Sequence, residues 1–270
     1  MNVQSGTESQ AKSGLGWIEA FGNRVADLLF PPHCVGCGRF GAWLCSDCVG
    51  KIPVIRPPIC LKCGVPISDA LPSRFASSRQ ASPSMCPYRS TEYVCAACPD
   101  VAPSIDGIRA YAFHREQLRE AIRQFKYEGL TALATPLGAL MTEGWEGLAP
   151  EGVQIEVIVP VPLHPTRLRK RGYNQAALLA QELGRAMERP VMEDVLARTK
   201  ATVPQVGLSS KDRQTNVEGA FTCADNRLAG SHVLLIDDVY TTGSTLEAAA
   251  LALRKGGVVS VWAYTLARAG

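Results

Sequence analysis

Four C-x-x-C pairs crowd the first hundred residues: Cys34/Cys37, Cys45/Cys48, Cys60/Cys63 and Cys95/Cys98. No other feature restricts the fold so strongly. A C-x-x-C turn directs two thiolates at one centre, and two such turns build a tetrahedral site. The first two pairs lie in CVGCGRFGAWLCSDC with seven residues between them. That spacing makes a compact ribbon, with Gly36 and Gly38 able to take the left-handed backbone such knuckles use. A disulfide framework is the competing reading. It is disfavoured because the opening stretch, MNVQSGTESQAKSGLGW, is polar and has no apolar signal core, and cytosolic thiols stay reduced. Two zinc sites are therefore expected, one from Cys34, Cys37, Cys45 and Cys48, the other from Cys60, Cys63, Cys95 and Cys98. The second encloses a long Ser-, Ala- and Pro-rich insert, PISDALPSRFASSRQASPSM, that reads as flexible. Cys86 follows that stretch as a spare thiol able to replace a ligand. Cys223, far from the others, reads as a small apolar residue.

The remaining composition is that of a globular chain. Of 270 residues, 46% are hydrophobic, enough for a sizeable core, and the net charge is only +3. No run approaches the roughly 20 apolar residues of a membrane span. A cytoplasmic protein without membrane insertion is expected. Residues 1–29 read as an N-terminal tail with a short helix, 30–99 as the double ribbon and 104–270 as a second domain.

Regular patterns begin where the cysteines stop. IDGIRAYAF alternates as a strand, and HREQLREAIRQFKYEG reads as a helix with Leu118, Ala121, Ile122 and Phe125 on one face. Arg115, Arg119, Arg123 and Lys126 recur at helical spacing. The arginines read mainly as a solvated face, whereas Lys126, next to Gly129, can face a ligand. IEVIVPVPL is a buried strand, followed by the basic loop HPTRLRKRGYNQ and the helix AALLAQELGRAM. RTKATVPQVGLSSKDRQTNVEGAF has no clear period and is too long for an idle connection. Then come strand HVLLID, helix STLEAAALALRKGG and strand VVSVWAYTLA. Strands alternating with helices imply a parallel sheet covered on both faces, with ligands at the carboxyl ends of its strands.

One junction stands out chemically: LLIDDVYTTGST, Leu234 to Thr245. Backbone N–H groups at a strand-to-helix turn, with the helix dipole, receive anions. Gly243 lets a phosphate approach the backbone, and Thr241, Thr242, Ser244 and Thr245 add hydroxyl donors. Asp237 and Asp238 would repel that phosphate. They suit an adjacent group that wants acceptors, either two sugar hydroxyls or a hydrated Mg²⁺. A phosphate beside a diol describes a ribose 5-phosphate. The bland alternative, a capped helix with an acidic turn, does not call for two carboxylates and four hydroxyls.

This stretch is similar to the phosphoribosyl-diphosphate (PRPP) signature of type I phosphoribosyltransferases. Together with the four C-x-x-C pairs, FKYEG and VPVPLHPTRLRKRGYNQ, it resembles the ComF family of competence-associated, GntX-like proteins. The likeness spans residues 30 to 270. It implies an α/β fold of the type I phosphoribosyltransferase class, a parallel-sheet core with flanking helices preceded by a Cys-rich double zinc ribbon. It places the ribose hydroxyls on Asp237 and Asp238 and the 5-phosphate on Thr241, Thr242, Gly243, Ser244 and Thr245. It also implies Mg²⁺ entering with PRPP, links to the DNA-uptake machinery, and a mobile loop over 199–216, with Lys200, Gln205 and Arg213 as contacts. Phosphoribosyl transfer depends on positioning and on neutralising the departing pyrophosphate. Arg167, Arg169, Lys170 and Arg171 supply charge, and Arg171 with Gly172, nearest the Tyr173-Asn174-Gln175 helix start, is the favoured pair. Asp237, Asp238 and Arg171 are thus the candidate catalytic set.

No segment carries a base-binding motif, so the acceptor is open. Any hood over the site is expected from 104–150 or from the ribbons. Two functions of different class follow: an Mg²⁺-dependent phosphoribosyltransferase, or a non-catalytic protein that handles single-stranded DNA with its ribbons and basic loops. Tyr173 and Trp43 are the stacking candidates for the latter.

Overall fold

The computed structural model describes residues 31–67, 94–95, 103–200, 219–224 and 226–269. Cys86, Cys98, Gln205 and Arg213 lie outside the described residues, as do the N-terminal tail and most of the Ser-rich insert.

A four-stranded parallel sheet carries the fold, in the order β1-β6-β5-β2. Its strands are β1 (Gly107–Phe113), β2 (Val157–Pro160), β5 (His232–Tyr240) and β6 (Ser260–Arg268). The period-two alternation of β5 splits its apolar side chains between two cores. Leu234 and Ile236 face one side, with Leu266, and are covered by α3 (Ala134–Leu148) and α5 (Gln175–Met187) through Leu137, Met141, Leu179 and Leu183. Val233 and Leu235 face the other, covered by Leu246, Ala249, Ala250 and Leu253 of α6 (Ser244–Lys255). Helices on both faces of a parallel sheet are what the strand–helix alternation requires.

Helix α2 (Glu116–Tyr127) buries Leu118, Ala121, Ile122 and Phe125, the expected face. Two segments differ from the sequence reading. The basic stretch after β2 is no loop: Pro165–Arg171 forms a short helix, α4, with Pro at its start and the His164 ring accepting from the Thr166 N–H at 3.3 Å. Gly172 ends it at φ 86°, its N–H donated to the Leu168 carbonyl. The aperiodic stretch is flanked by β3 (Leu196–Arg198) and β4 (Phe221–Cys223), which pair antiparallel. Propensity reading misses strands of three residues because they are shorter than any pattern window.

The cysteine-rich segment, which holds the one-turn helix α1 (Ser46–Val49), docks on the sheet edge. Val54 bridges Ala112 antiparallel, the Ile55 N–H donates to Tyr111 and the Phe113 N–H to Pro53. Further along β1, the Ile108 N–H donates to the Lys62 carbonyl at 2.7 Å. The ribbon thus satisfies an edge that would otherwise expose its ladder groups.

Candidate functional site

The carboxyl ends of the sheet strands open into a cavity of about 870 Å³. Its wall includes Asp237, Asp238, Thr241, Gly243 and Thr245 from the β5–α6 junction, and Arg167, Lys170 and Arg171 from α4. Residues 76 positions apart in sequence therefore meet because β2 and β5 are neighbours, in register from Val157/Val233 to Pro160/Ile236. Strand β5 runs through both carboxylates as far as Tyr240, so the turn proper begins at Thr241. Gly243 sits at φ 82°, and a Cβ built there would lie 2.9 Å from the Tyr240 ring. Only glycine fits this turn without displacing Tyr240.

The structure does not treat the remaining candidates alike. The Thr242 and Ser244 hydroxyls lie 3.0 Å apart and bond to each other. Gly172 cannot offer its N–H to a pyrophosphate, because that N–H closes the α4 cap. The Arg171 guanidinium reaches the Gln175 amide oxygen and lies 5.3 Å over the Tyr127 ring. Arg169 is exposed on the outer side of α4, and Lys200 is exposed at the end of the described stretch.

Lys126 crosses the cavity to pair with Asp238 at 2.8 Å, with side-chain exposures of only 20% and 11%. Burial alone would pull its pKa down, but Asp238, with Asp237 behind it, outweighs burial and raises it. Asp237 is pushed up to about 7, first by burial and then by the adjacent Asp238 charge. Lys126 and, more weakly, Arg198 oppose that rise without cancelling the cost of burying two adjacent carboxylates. A divalent cation or a pair of hydroxyl donors would favour the ionised pair. The donor set therefore fits a Mg²⁺-bearing diol, with Asp237 and Asp238 as the oxygen donors.

Two wall residues escaped the sequence reading. Arg198 is buried at the end of β3, 5.2 Å over the Phe221 ring, and faces the cavity with Arg167 and Asp237 as its charged neighbours. Its spacing of two from buried Leu196 was the available signal. His114, at the end of β1, is half-buried, and burial and then Lys126 lower its pKa. The cationic stripe on α2 is divided in use. Arg123 pairs with Glu120 and Glu128, Arg115 lies over Phe113, and Arg119 joins the cavity wall. Helix α2 is thus the part of 104–150 that overhangs the site, and no described ribbon residue lines the cavity. Tyr173 and Trp43 are both partly buried against the core, the Tyr173 ring 6.0 Å from Phe125 and its hydroxyl donating to the Phe125 carbonyl.

The cysteines converge as two groups. The sulfurs of Cys34, Cys37, Cys45 and Cys48 all lie within 4.8 Å of one another, as do those of Cys60, Cys63 and Cys95. The Cys37···Cys45 and Cys63···Cys95 separations are 3.6 Å and 3.7 Å. Zinc–sulfur bonds of about 2.3 Å in a tetrahedron put sulfurs roughly 3.8 Å apart, so both groups fit the metal. The Cys45 N–H points at the Cys34 sulfur and the Cys95 N–H at Cys60, each at 3.3 Å. Hydrogen bonding from Arg39 lowers Cys37 to about 6, whereas burial and its three thiol neighbours push Cys48 up to about 12. Crowded thiolates of this kind need a central cation.

Comparison with known proteins agrees with this architecture. A double zinc ribbon domain matches residues 25–98, and a phosphoribosyl transferase domain matches 168–270. Competence protein F of Haemophilus influenzae is 38% identical over 180 residues, spanning 65% of this chain and 78% of that protein. The chain belongs to the ComF family. The DNA utilization protein YhgH of Escherichia coli K12, another ComF relative, is 30% identical over 244 residues, covering 87% of this chain and 97% of that one. Among solved structures, the glutamine PRPP amidotransferase of B. subtilis complexed with ADP and GMP aligns over 49% of this chain and 25% of its own. Its identity is 17% and its TM-score 0.33. The family matches give this ComF chain a double zinc ribbon and a phosphoribosyltransferase-type α/β domain. No helix among the described residues is long and apolar enough to cross a membrane.

Proposed function

We propose that this ComF protein binds PRPP with Mg²⁺ in the cavity at the carboxyl ends of its strands. The reading assigns the 5-phosphate to Thr241, Gly243 and Thr245, and the ribose hydroxyls and cation to Asp237 and Asp238. The pyrophosphate would face Arg167, Lys170, Arg171 and Arg198. One observation carries it: the acidic pair, the glycine turn and the cationic helix α4 line a single cavity. Transfer would break the bond from ribose C1 to pyrophosphate, and the nucleophile would enter beneath α2. The side chains contribute position and charge. Lys126 fixes Asp238, and the arginines offset charge growing on the leaving group. The division of the chain at about residues 99–104 is part of the same proposal.

Calorimetry with ribose 5-phosphate and with PRPP, each with and without Mg²⁺, tests the binding. Release of pyrophosphate across a panel of amine and nucleobase acceptors tests the transfer. Equal binding by the Asp237→Asn/Asp238→Asn protein would remove the ribose assignment.

A second reading follows from the cavity rim. Tyr127 is 69% exposed there, beside Arg119, Lys170 and Arg171. An exposed aromatic ring among cations, one of them Arg171 over its face, suits a single-stranded DNA base and its phosphates. It also accords with relatives named for competence and DNA utilization. Affinity for an oligonucleotide should then fall by roughly 0.7 log units per tenfold salt for each neutralised phosphate. PRPP with Mg²⁺ should displace the strand. Strand binding that ignores both salt and PRPP would end this reading.

A further inference from the structure

The second cysteine group lies against the sheet through two arginines. Arg109, on β1, is 2% exposed, and no carboxylate pairs with it among the described residues. It donates to the carbonyls of Leu61, Ile108 and Leu148, lies 4.9 Å over the Trp262 ring, and has the Cys60 and Cys63 sulfurs as its charged neighbours. A buried guanidinium needs a counter-charge. Zinc held by the three described thiolates carries one negative charge and supplies it. The knuckle also touches β1 directly, since a Cβ on Gly64 would lie 2.6 Å from the Ile108 carbonyl oxygen.

Arg268, the last residue of β6, makes the second link. Its Nη1 donates to the Cys63 carbonyl at 2.6 Å, and its guanidinium lies 4.6 Å over the Tyr240 ring. Tyr240 is the floor of the glycine turn, packed where a Cβ of Gly243 would stand. The Ala269 N–H, next in the chain, donates to the Tyr240 carbonyl at 2.8 Å. The Cys63 carbonyl belongs to a C-x-x-C knuckle, and such a knuckle keeps its shape only while metal holds the sulfurs.

We propose that the second metal site is a structural part of the ligand turn. Metal at Cys60, Cys63 and Cys95 fixes the Cys63 carbonyl, that carbonyl holds Arg268, and Arg268 holds Tyr240 beneath Gly243. Loss of metal releases the turn. The calorimetric arm below rests on the turn receiving a phosphate; the exchange arm does not.

Hydrogen exchange of the full-length protein, read at residues 240–246, tests the coupling. Cys95→Ser should lose one zinc and speed exchange there by roughly tenfold, about what one charge-assisted hydrogen bond is worth. Arg268→Met should keep its full zinc content and show the same rise, while α3 on the far face stays unchanged. The double variant should exchange no faster than either single one, because both cut the same link. An Arg268→Met protein with full zinc and unchanged exchange at the turn overturns the proposal, as do effects that simply add. If Cys95→Ser does not fold, the Arg268→Met result alone decides. Ribose 5-phosphate with Mg²⁺ should bind Arg268→Met roughly tenfold more weakly. If the unaltered protein binds no ribose 5-phosphate at all, the phosphate reading falls, and the exchange result still decides the coupling.

Discussion

Asp237 makes ligand binding pH-dependent in a calculable way. Its carboxyl is raised to about 7 by burial and by Asp238, against 3.8 for an ordinary aspartate. Between those values the folded protein holds a proton that the unfolded chain has lost. The resulting stability is present at low pH and disappears as pH rises through about 7. Ligand binding runs the other way, because a cation or a sugar diol at Asp237 needs the ionised form. From pH 8 to pH 6 the ionised fraction falls from about nine-tenths to about one-tenth. Affinity for ribose 5-phosphate with Mg²⁺ should fall by roughly tenfold over that range, about 1.4 kcal/mol. The ligand phosphate titrates near 6 and adds its own slope. Asp237→Asn removes the protein's share and shows the ligand's alone. Calorimetry in buffers of different ionisation heat should find about half a proton released per ligand at pH 7, and none from Asp237 in the variant. Burial and Lys126 lower the His114 pKa, moving it away from the rise at Asp237. Parallel pH profiles for the unaltered and Asp237→Asn proteins would refute the reasoning.

Lys126→Met strands the two carboxylates without their ammonium. A loss of about 3 kcal/mol in denaturant unfolding at pH 8 is expected, shrinking toward pH 6 as Asp237 takes its proton, and a pH-independent loss would contradict the pairing. Gly243→Val forces a branched side chain to φ 82° and into the Tyr240 ring, so ligand binding should vanish while far-ultraviolet dichroism persists; retained binding would show that the turn is not the phosphate site. Arg198→Met should weaken PRPP by more than tenfold and ribose 5-phosphate by less than twofold, since only the former carries pyrophosphate; equal losses would place Arg198 elsewhere. Elemental analysis should find two zinc ions per chain, and a value of one would remove the second four-thiolate assignment.

Much of the site was legible locally. Asp237, Asp238 and the Thr-Thr-Gly-Ser-Thr run announce a turn that receives an anion, because a strand-to-helix junction, a glycine and adjacent hydroxyls act within a few residues of one another. The C-x-x-C spacing likewise fixes which sulfurs can share a metal. The buried face of α2 follows from its period. Such features depend on backbone geometry over one or two turns, which sequence specifies.

What tertiary structure decided is which of those pieces meet, and which groups are already engaged. Gly172 reads as a backbone donor, but its N–H is taken by a helix cap that the sequence reading passed over. Thr242 and Ser244 read as ligand donors, yet their hydroxyls bond to each other. Lys126 had two uses open to it until the fold set it against Asp238. Arg198 offers only its spacing of two from buried Leu196, and His114 has no local signature. They reach the cavity because β1, the edge strand beside β6, and β3, paired with β4 outside the main sheet, both end at its wall. The pairing of β2 with β5 joins residues 76 apart in sequence, and the burial that moves Asp237 to about 7 exists only once those neighbours close around it.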